Sequence, residues 1–463
     1  MGESMRFPDG FAWGVATASY QIEGGAFEGG RGESIWDRFS HTEGNVFEGQ
    51  NGDVACDHFH RYPEDVALMA DLGVTHYRFS MAWPRLQPDG SGQLNPAGLD
   101  FYSRLVDELL TNGITPWVTL YHWDLPQVLE EQGGWPERDI AYRFADYATK
   151  VHSALSDRIR HWTTLNEPWC SAFLGYAEGR HAPGRQDHPA ALRAAHHLML
   201  GHGLAVAEMR RSDPDADYGI TLNLFPVDPA TDSAADEDLA RRIDGLMNRQ
   251  WLDPLLRGRY PDDLLDDVRP VTDLAHIQDG DEKTINQPLD FLGVNYYFRH
   301  VLSVGEQQRV WQPGDEPSPW PGSSDMISVS RGWPTTEMGW EIDPAGLGEV
   351  LRRLQRDYGP IPLYVTENGM ACPDEVDEDG GVHDADRVDY LQRHFRTAHR
   401  AIADGVDLRG YFVWSLLDNF EWALGYSKRF GLVHCDYETQ RRTVKDSGHW
   451  FRAAAAANAV EPD

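Results

Sequence analysis

Two glutamates stand out by what surrounds them. Glu167 lies in TLNEP, residues 164–168, and Glu367 in LYVTENGM, residues 363–370. Each ends a short run rich in β-branched and aromatic residues, and each has an amide neighbour, Asn166 or Asn368. A carboxyl group at the tip of a buried strand is desolvated and faces whatever binds there. Two carboxyl groups flanking one bond can hydrolyse it: one protonates the leaving oxygen, and the other attacks or activates water. Arg78 is a plausible counter-ion. Pairing of each Glu with a nearby Arg is the plainer reading of the same residues, and spacing alone leaves it open.

Groups 200 residues apart need a fold that brings them together. The chain alternates short β-rich runs with longer amphipathic segments. The predicted strands are 11–19, 74–80, 114–121, 159–165, 218–224, 291–296, 363–366 and 410–415. Helical patterns between them include 63–72, 99–112, 139–155, 189–211 and 387–404, several closed by Gly or Asn. Eight strand–helix alternations predict an α/β fold, a single (β/α)8 TIM barrel over residues 1–463 with its site at the C-terminal strand ends. Segments 228–244, 262–288, 303–340 and 372–387 read as loops or irregular excursions. Trp311, Trp320 and Trp333 are expected at the cleft mouth because loops after strands build that face.

The strand ends support this picture. They deliver Gln21, then Arg78, then His122 and Trp123, then Asn166, Glu167 and Trp169. Later ends carry Asn223, then Asn295 and Tyr297, then Glu367, and finally Trp414 followed by Glu421 and Trp422. Strands buried on both faces are nearly continuous in apolar residues, so polar groups gathered at one end indicate a shared pocket. Sixteen Trp, 18 Tyr and 18 Phe beside carboxylates and amides suit a sugar cleft, since flat rings stack on apolar sugar faces.

Composition narrows the partners. Lys and Arg number 41 against 74 Asp and Glu, a net charge of -33, which repels nucleic acid and anionic lipid. No run approaches a membrane span in length. The first ten residues lack the basic and apolar regions of a signal peptide. Four cysteines are widely spaced without a C-x-x-C pair, so a reducing, cytoplasmic setting is expected. His196, His197 and His202 lie close together, but His197 and His202 are five apart, which does not place ligands on one helix face. No metal and no cofactor are expected. The oligomeric state is not readable.

Beyond these residues, the sequence resembles glycoside hydrolase family 1, the β-glucosidase family. FPDGFAWGVATASYQIEGG (7–25), YRFSMAWPR, LYHWDLPQ, TLNEP, GVNYY, LYVTENGM and WSLLDNFEWALGYSKRFGL match its blocks in order. The resemblance implies that Glu167 is the general acid/base and Glu367 the nucleophile. It implies that Gln21, His122, Trp123, Asn166, Asn223, Tyr297, Glu421 and Trp422 bind the terminal sugar, Asn166 facing its 2-hydroxyl, with Trp414 as the stacking floor. Arg78, Asn295 and Tyr297 would support the nucleophile, and Trp169, Phe225 and Trp333 would meet the leaving group. The implied activity is that of a retaining β-glucosidase on cello-oligosaccharides or aryl and alkyl glucosides, with β-fucosides and β-galactosides as further small-molecule substrates. Retention places the two carboxyl groups about 5 to 5.5 Å apart.

Two alternatives have sequence tests. A 6-phospho-β-glycosidase typically has a small residue in place of Glu421 and a Ser/Lys/Tyr phosphate set. Ser427 and Lys428 are present, but Phe430 stands where the Tyr is expected. A non-catalytic sugar-binding barrel would have lost one Glu, and both remain. The thioglucosidase branch carries Gln in place of the acid/base, so Glu167 argues against it.

Overall fold

In a computed structural model, which describes residues 4–378 and 380–462, eight parallel strands close into a barrel. They are β1 (Ala12–Ala16), β2 (His76–Ser80), β3 (Thr115–Tyr121), β4 (His161–Asn166), β5 (Asp217–Asn223), β6 (Phe291–Asn295), β7 (Leu363–Asn368) and β8 (Leu408–Trp414). Neighbours in sequence are neighbours in the sheet, and β8 pairs with β1 to close it. Residues 1–3, Asp379 and Asp463 belong to the N-terminal stretch, the acidic run and the single unit read from sequence. They lie outside the described residues.

Helices follow the strands: α1 (His58–Asp71), α2 (Pro96–Thr111), α3 (Asp139–Leu155), α4 (His188–Ser212), α5 (Gln250–Arg257), α6 (Pro344–Tyr358), α7 (Ala385–Ala403) and α8 (Asp446–Ala457). Their buried residues recur at helical spacing, as on α3 with Ile140, Phe144, Tyr147, Val151 and Leu155. Caps come from the residues that compete with the backbone elsewhere. Asn95 accepts from the Ala97 amide, Asp187 from Ala190 and Asp343 from Gly346.

The barrel interior changes character from bottom to top. At the N-terminal end of the strands, the Trp117 ring lies 4.7 Å from Phe291, 4.8 Å from Tyr364 and 5.3 Å from Phe412, and stacks on His161. Gly14 and Gly219 admit two of these rings, because a Cβ at either would stand 2.3 Å from Phe412 or 2.4 Å from Phe291. The C-terminal end is polar, with Arg78, Asn166, Asn295 and Thr366 all buried.

Three differences from the sequence reading matter for the site. β1 stops at Ala16, three residues early, and a helical turn Ser19–Ile22 carries Gln21. β7 runs two residues longer than expected, through Glu367 to Asn368. Segment 228–244 is largely helix, Ala234–Asp244, capped by Ser233, and 262–288 contains helices Asp262–Val268 and Asp281–Ile285. Each of these three loop helices buries apolar residues, Leu239 and Ile243, Leu264 and Val268, and Ile285, which a polar composition concealed. Strands Val227–Pro229, His300–Val304 and Met326–Ser328 form a small sheet above the barrel that fixes the loops after β5 and β6.

Candidate active site

The two glutamates share one cavity. It has a volume of about 500 Å³ and is lined by both of them with His122, Trp123, Asn223, Tyr297, Trp414, Glu421 and Trp422. β4 ends at Asn166, and Glu167 takes a positive φ of 45°, an uncommon conformation for a non-glycine residue. That turn, rather than Pro168 alone, aims the carboxyl inward.

Opposite supports hold the two groups. Glu367 receives Arg78 Nη1 on Oε1 at 2.8 Å and the Tyr297 hydroxyl on Oε2 at 2.9 Å. Glu167 receives the Asn295 amide on Oε1 at 2.6 Å and the Cys170 thiol on Oε2 at 3.1 Å. Asn295 is itself oriented, since its Oδ1 accepts from Thr366 at 2.7 Å. A guanidinium is a stronger partner for a carboxylate than an amide or a thiol.

The electrostatics follow from these partners. Burial first, and then the facing charge of Glu367, push Glu167 up to about 8. Burial also raises Glu367, but Arg78 and Tyr297 pull it back. A proton shared by the pair therefore resides on Glu167. Glu421 is pushed up to about 8 by burial and by both catalytic-pair charges.

Asn166 is where the structure departs from expectation. It is buried and lies behind the cavity wall. Its Oδ1 accepts from Arg78 at 2.5 Å and from Asn295 at 3.1 Å, and its amide donates to His122 Nε2 at 3.1 Å. The side chain thus links Arg78, Asn295 and His122, using its oxygen and one of its two amide N–H groups. That bond leaves the proton of neutral His122 on Nδ1; burial and Arg78 hold this ring well below the usual imidazole range.

Several buried polar atoms find no partner among the described residues. They are His122 Nδ1, Glu421 Oε2 and Trp169 Nε1, whose residues line the cavity, and Gln21 Oε1, whose residue does not. Gln21 is pinned through its Nε2 by Asn419 Oδ1 at 3.0 Å and the Phe420 carbonyl at 2.8 Å, which leaves its oxygen available. Buried polar atoms are normally satisfied, so this set suits a ligand rich in hydroxyls. Trp123 uses its indole N–H on the Asn166 carbonyl at 2.9 Å, and its ring alone faces the cavity.

At the outer end, Trp169 and Phe225 line the cavity as expected, joined by Leu174, Met247, Phe298, His300, Trp320 and Trp340. Trp333 does not. It is 44% exposed, with Arg331 3.5 Å above its ring, in a separate groove of about 650 Å³ against α6 and α7. Trp311 packs 5.2 Å from His188 and is absent from the cavity lining, so only Trp320 of the three expected tryptophans reaches it. Trp340, which the sequence reading passed over, packs 5.1 Å from Tyr297. Nothing in the composition of that loop distinguishes Trp340 from Trp333.

The remaining candidates resolve plainly. His196 pairs with Asp281 and Tyr260, His197 with the Trp135 carbonyl, and His202 with Thr164. Ser427 donates to the Leu424 carbonyl, Lys428 lies 3.7 Å from Glu337, and Phe430 lines the cavity. The four cysteines are free, and no described helix is long and apolar enough to cross a membrane.

A closed eight-stranded barrel with two inward carboxyl groups at its C-terminal mouth is the architecture of a barrel glycosidase. The sequence profile of glycosyl hydrolase family 1 matches residues 3–460, and the chain belongs to that family. It is 52% identical to the bifunctional beta-D-glucosidase/beta-D-fucosidase of Bifidobacterium breve, over 97% of this chain and 98% of that one. It is 54% identical to thermostable beta-glucosidase B of Thermobispora bispora, over 98% and 92%. Among solved structures, the psychrophilic beta-glucosidase BglU from Micrococcus antarcticus superposes with a TM-score of 0.94 at 51% identity, over 99% of this chain and 100% of that one.

Proposed function

We propose that the protein is a retaining β-glucosidase that releases terminal non-reducing β-D-glucosyl residues, and β-fucosyl or β-galactosyl residues, from cello-oligosaccharides or aryl and alkyl glycosides. One observation carries the reading: Glu167 and Glu367 face one cavity with unequal supports, so one holds a proton while the other is held as an anion.

The steps follow from that asymmetry. Glu367, aligned by Arg78 and Tyr297, attacks the anomeric carbon as Glu167 protonates the departing oxygen. The glycosyl ester that forms carries no charge on Glu367. The repulsion that raised Glu167 then disappears, and its carboxylate can take a proton from the incoming water. Gln21, His122, Glu421 and Trp422 hold the sugar hydroxyls over Trp414. Asn223 contacts the sugar side as well, and Trp169 and Phe225 meet the leaving group. The three related glucosidases named above support the glucose assignment, and the Bifidobacterium breve enzyme supports the fucose one. We read the chain as one catalytic unit, cytoplasmic on the strength of its free cysteines, with a place in cellulose breakdown.

The experiment is a panel of p-nitrophenyl β-glucoside, β-fucoside, β-galactoside and β-glucoside 6-phosphate. Turnover of the unphosphorylated glycosides is expected, and turnover of the phosphorylated one alone would overturn the substrate assignment.

Glu421 should show a trade between stability and activity. Its folded value of about 8 exceeds the ordinary 4.5, so the folded state holds the proton more tightly than the unfolded one. Stability is then lost as pH rises from about 4.5 to about 8. Glu421→Gln removes that loss and is expected to stabilise the protein by ~1–2 kcal/mol at pH 8 and by nothing at pH 4. The same change should lower kcat/KM by roughly 10-fold through a lost hydrogen bond to substrate. Thermal melts at the two pH values check the first effect, and a melt shift equal at both would count against it.

A further inference from the structure

Glu167 is held on both oxygens, and one holder is a thiol. Cys170 begins a π-helical segment, Cys170–Glu178, and its amide donates to the Glu167 carbonyl at 2.9 Å. That turn, three residues long, brings Sγ beneath the carboxyl, 3.1 Å from Oε2. Cys170 is also the only cysteine lining the cavity; Cys56, Cys372 and Cys435 are buried elsewhere. Behind it, Asn223 Nδ2 lies 3.8 Å from Sγ, which gives the sulfur a donor of its own.

The two oxygens are not equivalent. Oε1 accepts the Asn295 amide at 2.6 Å, so the transferable proton belongs on Oε2, the oxygen that Cys170 touches. We propose that Cys170 is a positioning residue for the acid/base: its S–H, backed by the Asn223 amide, fixes Oε2 of Glu167 toward the leaving oxygen and steadies the carboxylate once the proton has left. This rests on the glycosidase reading. The thiol need not ionise, and burial with the adjacent Glu167 pushes it well above its ordinary range, so it acts as a donor only. The other groups that bear on Glu167 are Glu367 and Arg78 across the cavity and Tyr297 and Glu421 on its walls, while Arg180 bears on Cys170.

The test compares Cys170→Ala with Cys170→Ser on p-nitrophenyl β-glucoside. Loss of a donor to the carboxylate should move the alkaline limb of kcat/KM upward by about 0.5 pH units in Cys170→Ala. The hydroxyl of Cys170→Ser should return it to the wild-type position or below. An unmoved limb in Cys170→Ala, or equal shifts in both variants, would overturn the proposal. A second readout needs no turnover. The infrared S–H stretching band of Cys170, obtained as wild type minus Cys170→Ala, should move to higher frequency in Glu167→Gln. There the amide nitrogen replaces Oε2 and cannot accept. A band indifferent to Glu167→Gln would refute the contact itself. Wild-type turnover of the unphosphorylated glucoside reports separately on the glycosidase reading.

Discussion

Glu367→Gln is expected to lower kcat on every β-glycoside by at least about 10⁴-fold, as loss of a nucleophile does, while leaving the fold intact. The amide is isosteric: its oxygen can still accept from Arg78 and its NH2 can donate to the Tyr297 hydroxyl oxygen, the two groups that now hold the carboxylate at 2.8 and 2.9 Å. What disappears is the electron pair that bonds to the anomeric carbon. A melt close to that of wild type would show that the loss is chemical. A 2-fluoro glycoside, which slows the second step, should add one glycosyl mass to wild type and none to the variant. Adduct formation in Glu367→Gln would remove Glu367 from its role.

Glu167→Ala should behave differently, and the difference separates the two roles. A poorly activated substrate needs the proton, so its kcat/KM should fall about 10²- to 10⁴-fold. A good leaving group departs unaided, and the glycosyl ester then waits for a base that is no longer there. Azide needs no deprotonation, so adding it should restore turnover and yield a glycosyl azide of retained configuration. In wild type, activity requires the protonated form of a group pushed up to about 8. The limb of kcat/KM should accordingly fall as pH rises through about 8, as a property of the coupled pair, and Glu167→Ala should lack it. A persisting alkaline limb, or no response to azide, would count against the assignment.

The barrel was legible because each strand is a short apolar run and each helix keeps its period. The 139–155 segment, for example, was bounded to the residue. The carboxyl pair was legible because the strand ends carry polar groups that a core does not want. Orientation was harder. Asn166 and Glu167 are adjacent, yet the first turns into a hub behind the wall and the second into the cavity, because φ changes sign between them. No residue preference announces that change. Loop tryptophans posed the same difficulty in another form. Trp333 and Trp340 are seven residues apart in one unpatterned segment, and only the packing of Trp340 on Tyr297 and Phe298 brings it inward. Cys170 was read only for its redox setting, since the turn that places its sulfur under Glu167 depends on the same backbone reversal.

The aromatic layer around Trp117 has a kinetic meaning. It seals the far end of the barrel, so the sugar cavity is a blind alley with one door. A polymer cannot thread through it. The terminal unit must enter first, and after cleavage it sits deepest, behind the shortened chain. That chain has to depart completely before the trapped monosaccharide can follow, and it must re-enter for the next cut. The enzyme is thereby confined to distributive trimming from the chain end, with each detached unit the last to leave.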